Sequence, residues 1–150
     1  MFTPSVLQGL THVFTDIPFN RILGVSLERL AKDQAIISFS MKNELIGNYL
    51  HGILHGGVIS SVLDMVGGMA ILAAAVYKHQ DYSLAELATM LGKSSTVDLQ
   101  ISYLHPGKGE KFIATADVLH SGNKISFARM ELHNQEQKLL ATGAGTYLVG

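Results

Sequence analysis

The sequence predicts an α+β fold in which an antiparallel β-sheet packs against one long, buried helix. Residues 58–77 are apolar on nearly every side, which is typical of a helix enclosed by other elements. The segments on either side alternate apolar with polar residues, the pattern of strands that bury one face. Short turn sequences join these strands, so we expect hairpins and antiparallel pairing.

The N-terminal segment is predicted to form a helical extension ahead of the sheet. Its apolar residues recur at helical spacing: Val6, Leu7, Leu10, Val13 and Phe14. Ser5, which follows Pro4, is the predicted helix cap, and Pro18 is predicted to end the helix. We therefore assign residues 1–17 to this extension within a single domain of residues 1–150, and expect residues 18–24 to lead into the first strand.

Two strands are predicted between the extension and the central helix. Residues 25–29 and residues 35–41 each alternate apolar with more polar side chains. Lys32-Asp33-Gln34 lies between them as a turn sequence. The two segments therefore read as a hairpin.

A short helix and four strands are predicted after the central helix. Ser83 is followed by Glu86 at the third position, which is the pattern of a capping box, so we expect a helix that runs to Leu91. The predicted strands cover residues 95–104, 111–120, 124–133 and 138–149. In the first of them, one face is predicted to hold Val97, Leu99, Ile101 and Tyr103, and the other Thr96, Asp98, Gln100 and Ser102. Small residues in the last strand indicate that it curves closely over a helix.

The predicted start of the central helix has the composition of a ligand-binding end. His55-Gly56-Gly57 stands there, and glycine lets a backbone approach a ligand without a Cβ in the way. The first turn of a helix also has free N–H groups and a partial positive charge. We therefore expect this end to bind an anion, or an oxygen that becomes negatively charged during a reaction.

Asp64 is the one residue of the central helix before Lys78 that is charged at neutral pH. It lies on a stripe of small or polar residues at helical spacing: Gly57, Ser60, Ser61, Asp64, Gly67 and Gly68. Two other interpretations remain open. The segment is long enough to span a membrane, although Asp64 near its middle and two glycines argue against a span. Alternatively, Asp64 only caps a neighbouring loop, which requires backbone donors aimed at it.

Composition limits the classes of function. Charged residues make up 15% of the chain and apolar residues 47%, so a monomer would expose much apolar surface and we expect an oligomer. The net charge of −1 argues against a nucleic-acid partner. The chain has no cysteine, and its N-terminus lacks the pattern of a signal peptide, so we expect a cytoplasmic protein.

The histidines do not predict a metal site. His51 and His55 are four residues apart and could share a metal on a helix. The glycines around them favour a loop, and no third ligand is evident in the sequence. We therefore predict no metal.

The sequence resembles the hotdog-fold acyl-CoA thioesterases, in particular the branch typified by phenylacetate degradation (PaaI-like). The matching features are His55-Gly56-Gly57, an Asp nine positions after that His, the run STVDLQISYLHPGKGE at residues 95–110, and the Gly-Asn-Lys turn at residues 122–124. The tail resembles small bacterial thioesterases that end in Thr-Tyr-Leu/Met-Val-Gly. This resemblance implies a curved antiparallel sheet wrapped around the central helix.

The resemblance also implies roles for the residues that match the family motifs. Asp64 would be the catalytic carboxylate, acting either as a base toward water or as a nucleophile. The Gly56 N–H, with that of Gly57, would polarise the thioester carbonyl. His55 would shape the site, and Thr96 would orient the water. Many members have an Asn six residues before the His; here Asn48 is seven residues before it.

Acyl-CoA is the implied substrate, with no cofactor beyond the CoA that the substrate itself contains. The further residues that we expect to contact it are Asn48, Gly57, Ser60, Ser61, Gly122, Asn123 and Lys124. Family members share their active sites across a dimer, which implies a homodimer or homotetramer. Two alternatives are a hotdog enoyl-CoA hydratase or dehydratase, which abstracts a proton beside the carbonyl, and a module that binds acyl-CoA without turnover.

Overall fold

The structure is a computed structural model that describes residues 2–149. Its helices are α1 (Pro4–Asp16), α2 (Pro18–Leu23), α3 (Gly56–Lys78) and α4 (Leu84–Gly92). Its strands are β1 (Ser26–Leu30), β2 (Gln34–Ser40), β3 (Ile46–Asn48), β4 (Ile53–Leu54), β5 (Ser95–Tyr103), β6 (Lys111–Ser121), β7 (Ile125–Asn134) and β8 (Leu139–Leu148). The predicted α+β class is confirmed.

Six of the strands form one antiparallel sheet in the order β1-β2-β6-β7-β8-β5. The predicted hairpins are present: β1 pairs with β2, and β6 pairs with β7 across the turn at residues 122–124. The order leaves β1 and β5 as the edge strands. In the chain, α3 and α4 lie between β2 and β5. The segment that contains these helices therefore runs from β2, next to one edge of the sheet, to β5 at the opposite edge.

Among the described residues, the central helix contributes more buried residues to the core than any other single element. Its buried residues are Ile59, Val62, Leu63, Val66, Gly67, Met69, Ala70, Ile71, Ala73, Ala74, Ala75 and Val76. They pack against buried side chains of the sheet such as Ile37, Phe112 and Met130. Burial of each large apolar side chain contributes about 1.5–3 kcal/mol. The helix has the length and apolarity of a membrane span, but its apolar residues are used in this core.

The first helix ends at Asp16, before Pro18 as predicted, but the N-terminal segment differs from the prediction at the helix cap and after Pro18. The cap of α1 is Thr3 rather than Ser5, because the Thr3 side chain accepts a hydrogen bond from the Val6 N–H. Pro18 does not lead into a strand: it begins α2 at the first helical position, where a missing N–H costs nothing and the fixed φ of proline suits a helix. Gly24, with φ of 71°, ends α2.

The predicted face assignment of β5 is wrong at its start. Thr96 pairs with Tyr147 and Asp98 pairs with Thr146, so Val97 is an extra residue that forms a β-bulge. The bulge puts Thr96 in contact with Asp64 on α3, on the same side as the partly buried Leu99 and Ile101. Val97 is 56% exposed instead. A prediction from strict alternation cannot reveal a bulge, because it assumes that each residue of one strand pairs with one residue of the next.

Two further features concern the short elements around α3. Where a loop was expected around His51 and His55, residues 46–54 form a small hairpin in which β3 pairs with β4. The predicted capping box is confirmed: Ser83 Oγ accepts from the Glu86 N–H, and the Glu86 carboxylate accepts from the Ser83 N–H. Helix α4 follows at Leu84.

Candidate active site

His55 caps the start of the central helix. Its backbone is extended, with φ of −61° and ψ of 136°, and its Nδ1 accepts a hydrogen bond from the Gly57 N–H at 2.7 Å. An N-cap side chain of this kind satisfies one of the free donors of the first turn. The Gly57 N–H is therefore occupied by the chain itself.

Gly56 carries the N–H at this helix start that remains free. That N–H makes no hydrogen bond with any other described residue. The Gly56 carbonyl accepts a hydrogen bond from the Tyr103 hydroxyl at 3.1 Å, which fixes the peptide from the side of β5. A Cβ at Gly56 would lie 3.4 Å from the Tyr103 ring, so the position is close to the ring but not closed. The free donor lies at the positive end of a helix of 23 residues.

Asp64 lies two turns further along α3 and is held by Thr96. The Thr96 hydroxyl donates a hydrogen bond of 2.8 Å to Asp64 Oδ1. The carboxylate is half-buried, and this partner is a side-chain hydroxyl. No loop N–H among residues 2–149 donates to it, so the interpretation of Asp64 as a loop cap gains no support.

Tyr147 of β8 contacts the turn of α3 that carries Asp64. The sequence did not predict this residue as part of the site. Its hydroxyl donates to the Asp64 carbonyl oxygen at 3.1 Å. Burial raises the pKa of this phenol well above its usual value, and the nearby Asp64 carboxylate adds to the rise, so the group stays a donor. A Cβ at Gly67 or at Gly145 would lie within 2.7 Å of Tyr147 atoms, so these two glycines make room for the ring.

A cavity of about 330 Å³ adjoins Asp64. Its floor is the face of α3 that carries Asp64, Met65 and Gly68, and β5 contributes Thr96. The lining also includes Phe14 of α1 and Phe19 and Asn20 of α2, for which no role at a site was predicted. The carboxylate therefore lies at the edge of a largely apolar space large enough for a small ligand.

The free donor and the carboxylate do not meet within one chain. Gly56 and Asp64 are eight residues apart on a continuous helix, which separates them by about 12 Å along its axis at 1.5 Å per residue. A reacting carbonyl has to be within hydrogen-bond distance of the donor and next to the attacking group at the same moment. Within one chain, the Gly56 N–H and the Asp64 carboxylate therefore cannot act on the same carbonyl group.

The other candidate residues near the helix start make contacts within the chain. Ser60 Oγ and Ser61 Oγ both donate to the Gly57 carbonyl, at 3.1 Å and 2.7 Å, and Ser61 also lines the cavity. Asn48 ends β3, and its Oδ1 accepts from the Leu50 N–H at 3.1 Å. Their roles toward a ligand stay predictions.

The turn of Gly122, Asn123 and Lys124 lies at the other end of α3. The Ser121 carbonyl before it accepts from the Lys78 ammonium group, and Lys78 is the last residue of that helix. A Cβ at Gly122 would lie 2.2 Å from the Ile125 carbonyl oxygen, so the hairpin itself requires glycine there. The structure does not bring this turn together with Asp64 of the same chain.

Metal-ligating residues are not grouped in the described part of the chain. Within residues 2–149 no three His, Asp or Glu side chains lie close enough to hold a metal ion. His51 lies in the turn between β3 and β4, and His55 is engaged as the helix cap.

Comparison with known proteins relates this site to hydrolases of thioesters. The sequence matches the family described as the thioesterase superfamily over residues 51–141, which include the start of α3, Asp64 and Thr96. It is 44% identical over 134 residues to the medium/long-chain acyl-CoA thioesterase YigI of Escherichia coli K12, covering 89% of this chain and 86% of that protein. It is 30% identical to human acyl-coenzyme A thioesterase 13, covering 97% and 98% of the two chains.

Solved structures show the same architecture. A Shewanella oneidensis protein related to the thioesterase superfamily superposes with a TM-score of 0.92 at 41% identity, over 97% of this chain and 96% of that one. Mouse thioesterase superfamily member 2 superposes with a TM-score of 0.76 at 26% identity, over 99% and 100%. The hotdog arrangement of sheet and central helix is therefore confirmed.

Proposed function

This chain belongs to the thioesterase superfamily, and we propose that it hydrolyses acyl-CoA thioesters to the free acid and CoA with Asp64 as the catalytic carboxylate. The observation that carries the proposal is the Asp64 carboxylate, oriented by the Thr96 hydroxyl at 2.8 Å beside a largely apolar cavity. Relatives that share nearly the whole chain are named acyl-CoA thioesterases, which supports the same substrate class here.

Thioester hydrolysis needs little beyond the groups found at this site. The thioester carbonyl is already activated, so it requires a base or nucleophile and a donor for the developing oxyanion. In the base route, Asp64 takes a proton from a water whose oxygen attacks the carbonyl carbon. The tetrahedral intermediate then collapses, the C–S bond breaks, and the CoA sulfur leaves with the proton that Asp64 had accepted.

In the nucleophilic route, Asp64 itself attacks the carbonyl carbon and displaces CoA. The resulting mixed anhydride is then hydrolysed by water to regenerate the carboxylate. Both routes use the same carboxylate and the same oxyanion donor. Thr96 serves both, because its hydroxyl holds the Asp64 carboxylate in one orientation.

The Gly56 N–H of a partner subunit is the proposed oxyanion donor. Within one chain it lies too far from Asp64, whereas it is free of other hydrogen bonds in the described chain and lies at a positive helix end. The site would then comprise Asp64 and Thr96 of one protomer and the helix start of the other. This proposal makes a homodimer, or a tetramer of two dimers, the active form.

Exposed apolar residues near the site support an assembly. Val97 and Tyr103 on the edge strand β5 are more than half exposed, at 56% and 53%. Tyr49 and Leu50, in the turn between β3 and β4, are more exposed still. An unpaired strand edge and apolar side chains of this kind are covered in stable proteins.

Neither alternative function gains a specific observation. A hydratase would need the loop histidine and the helix carboxylate to converge on one substrate, and no contact in the described chain brings His55 and Asp64 together. A binding module without turnover would not require an oriented carboxylate. The named relatives are thioesterases.

Replacement of Asp64 by Asn tests the proposed function. The Asp64→Asn side chain has the same shape but can act neither as a base nor as a nucleophile, so kcat should fall by roughly 10²–10⁴-fold or more. The melting temperature and the affinity for a non-hydrolysable alkyl-CoA thioether should change little. An Asp64→Asn protein that keeps near-normal turnover, with mass spectrometry showing no reversion to Asp, would disprove the role of Asp64.

A further inference from the structure

We propose that Tyr147 is a positioning residue for the reaction, because its hydroxyl holds the backbone of Asp64 against β8 while Thr96 holds the carboxylate. This inference rests on the proposed function, since it assigns a role toward the carboxylate that carries that function. Tyr147 lies after residue 141, where the match to the family ends. The contacts of this chain, and not the family match, therefore carry the proposal.

The paired strands β5 and β8 hold Asp64 at two points. Thr96 and Tyr147 are partners across these two strands. The Thr96 hydroxyl donates to Asp64 Oδ1 at 2.8 Å, and the Tyr147 hydroxyl donates to the Asp64 carbonyl oxygen at 3.1 Å. The place of a carboxylate depends on where its backbone lies and on rotation about its side-chain bonds. Tyr147 restrains the first, and Thr96 restrains the second.

The hydrogen bond from Tyr147 is additional to those that the helix makes for itself. Within α3 the Asp64 carbonyl accepts from the N–H four residues later, at Gly68. A carbonyl oxygen has a second lone pair, which can accept from the tyrosine. The helix does not need this bond in order to form. The bond instead fixes the position of α3 relative to β8 at the turn that carries Asp64.

Two glycines make room for the Tyr147 hydroxyl. A Cβ at Gly67 would lie 2.3 Å from the hydroxyl oxygen, and a Cβ at Gly145 would lie 2.7 Å from it. Gly67 is in the interior of α3 and Gly145 is in the interior of β8, where glycine is less favourable than alanine. Alanine at either position would be incompatible with the hydroxyl where it now lies. The helix and the strand therefore both accommodate the contact with Asp64.

The phenol suits this role because it stays neutral. Tyr147 is 4% exposed and lines the cavity beside the Asp64 carboxylate. Burial, together with the nearby carboxylate, raises the pKa of Tyr147 well above its usual value. The hydroxyl therefore keeps its proton and adds no second negative charge beside Asp64.

Replacement of Tyr147 by Phe tests the proposal, because it removes the hydroxyl and keeps the ring. A small displacement of a catalytic group is costly, so we expect Tyr147→Phe to lower kcat for decanoyl-CoA roughly 10- to 100-fold. KM and the affinity for a non-hydrolysable alkyl-CoA thioether should change little, because the ring still fills its place.

Ser38→Ala is the matched control for the loss of a buried hydroxyl. The Ser38 hydroxyl donates a hydrogen bond to Glu28 at 2.5 Å, and Ser38 is 4% exposed. It lies on β2, which β6 and β7 separate from β8. Ser38→Ala should therefore affect the melting temperature and leave kcat unchanged.

A second variant displaces the hydroxyl and keeps the tyrosine. The Cβ of Gly67→Ala would be too close to the hydroxyl oxygen, so the contact with the Asp64 carbonyl must change. We expect kcat to fall here as well, again with little change in thioether affinity. Gly9→Ala on α1 should keep full activity, because its Cβ is also added within a helix but would meet nothing within 4 Å.

The outcomes separate the role of Tyr147 from the proposed function. A folded Tyr147→Phe protein with unchanged kcat would overturn the role, and so would equal losses of kcat and of thioether affinity, since the tyrosine would then support the whole pocket. If Tyr147→Phe does not fold, Gly67→Ala decides by the same two criteria. Near-normal turnover by Asp64→Asn, measured alongside, would remove the proposed function and this role with it. An inactive Asp64→Asn protein with a fully active Tyr147→Phe protein would remove only the role of Tyr147.

Discussion

Thr96 and Asp64 form the pair on which the proposed chemistry depends at the scale of single residues. The hydroxyl of Thr96 reaches Oδ1 because the bulge at Val97 turns the start of β5 toward α3. The sequence could predict Asp64 from its isolation on an apolar helix, and the family resemblance indicated Thr96. It could not predict their contact, since strict alternation put Thr96 on the face opposite Leu99.

Removal of the Thr96 hydroxyl should impair catalysis more than folding. Thr96→Val has nearly the same shape but cannot donate to Asp64, and a hydrogen bond to a charged group is worth about 1.5–3 kcal/mol. We expect kcat with decanoyl-CoA to fall roughly 10- to 100-fold, while the melting temperature changes by a few degrees at most.

Thr96→Ser is the matched control, because it keeps the hydroxyl and removes only a methyl group. It should retain most of the activity of the unaltered enzyme. Equal and nearly full activity in both variants would show that the hydroxyl does not orient the carboxylate.

Tyr147 shows why part of the site escaped sequence analysis. Its hydroxyl contacts the Asp64 carbonyl from a strand that lies 83 positions later in the chain. The signal was indirect: the small residues of the last strand indicated close approach to a helix, and Gly145 does make room for the Tyr147 ring. Which side chain fills such a space depends on tertiary packing and not on local pattern.

At the scale of elements, the start of α3 was the feature best predicted. A histidine followed by two glycines before a long apolar run indicated a helix with an open N-terminus, and the helix begins at Gly56. The prediction failed where proline was read only as a terminator, because Pro18 begins α2. Proline is compatible with the first turn of a helix and incompatible with its interior, and sequence alone did not distinguish the two positions.

The same rule gives a direct test of the Gly56 N–H. Gly56 is the first residue of α3, where proline is well tolerated, and His55 before it already has the extended backbone that a residue preceding proline adopts. Gly56→Pro therefore deletes the N–H and leaves the helix start intact. Loss of one oxyanion donor should lower kcat by roughly 10²–10³-fold with little change in melting temperature.

Gly56→Ala controls for the added side chain. It keeps the N–H, and its Cβ would lie 3.4 Å from the Tyr103 ring. We expect a much smaller loss of kcat than in Gly56→Pro. A folded Gly56→Pro enzyme as active as Gly56→Ala would leave the helix start without a role in catalysis.

At the scale of the whole molecule, the fold was predicted well and the assembly only indirectly. Strand segments with alternating apolar residues, on either side of one apolar helix, correctly predicted the sheet and the central helix. The prediction succeeded because the residues that form this core recur at the regular spacing of strands and helices. The low charge content predicted an oligomer, and the proposal that the site is shared between subunits rests on the separation of Gly56 and Asp64 along α3. Asp64 and Gly56 lie on one rigid helix, and no change within a single chain can bring them together.

The central claim is that each active site combines Asp64 of one subunit with Gly56 of another. Co-expression of equal amounts of Asp64→Asn and Gly56→Pro chains tests it, since neither variant alone has a complete site. If sites are shared, random pairing makes about a quarter of them intact, and the mixture should regain about a quarter of the kcat of the unaltered enzyme. If the mixed assemblies, confirmed by two affinity tags, are no more active than the variants measured separately, the shared site is disproved.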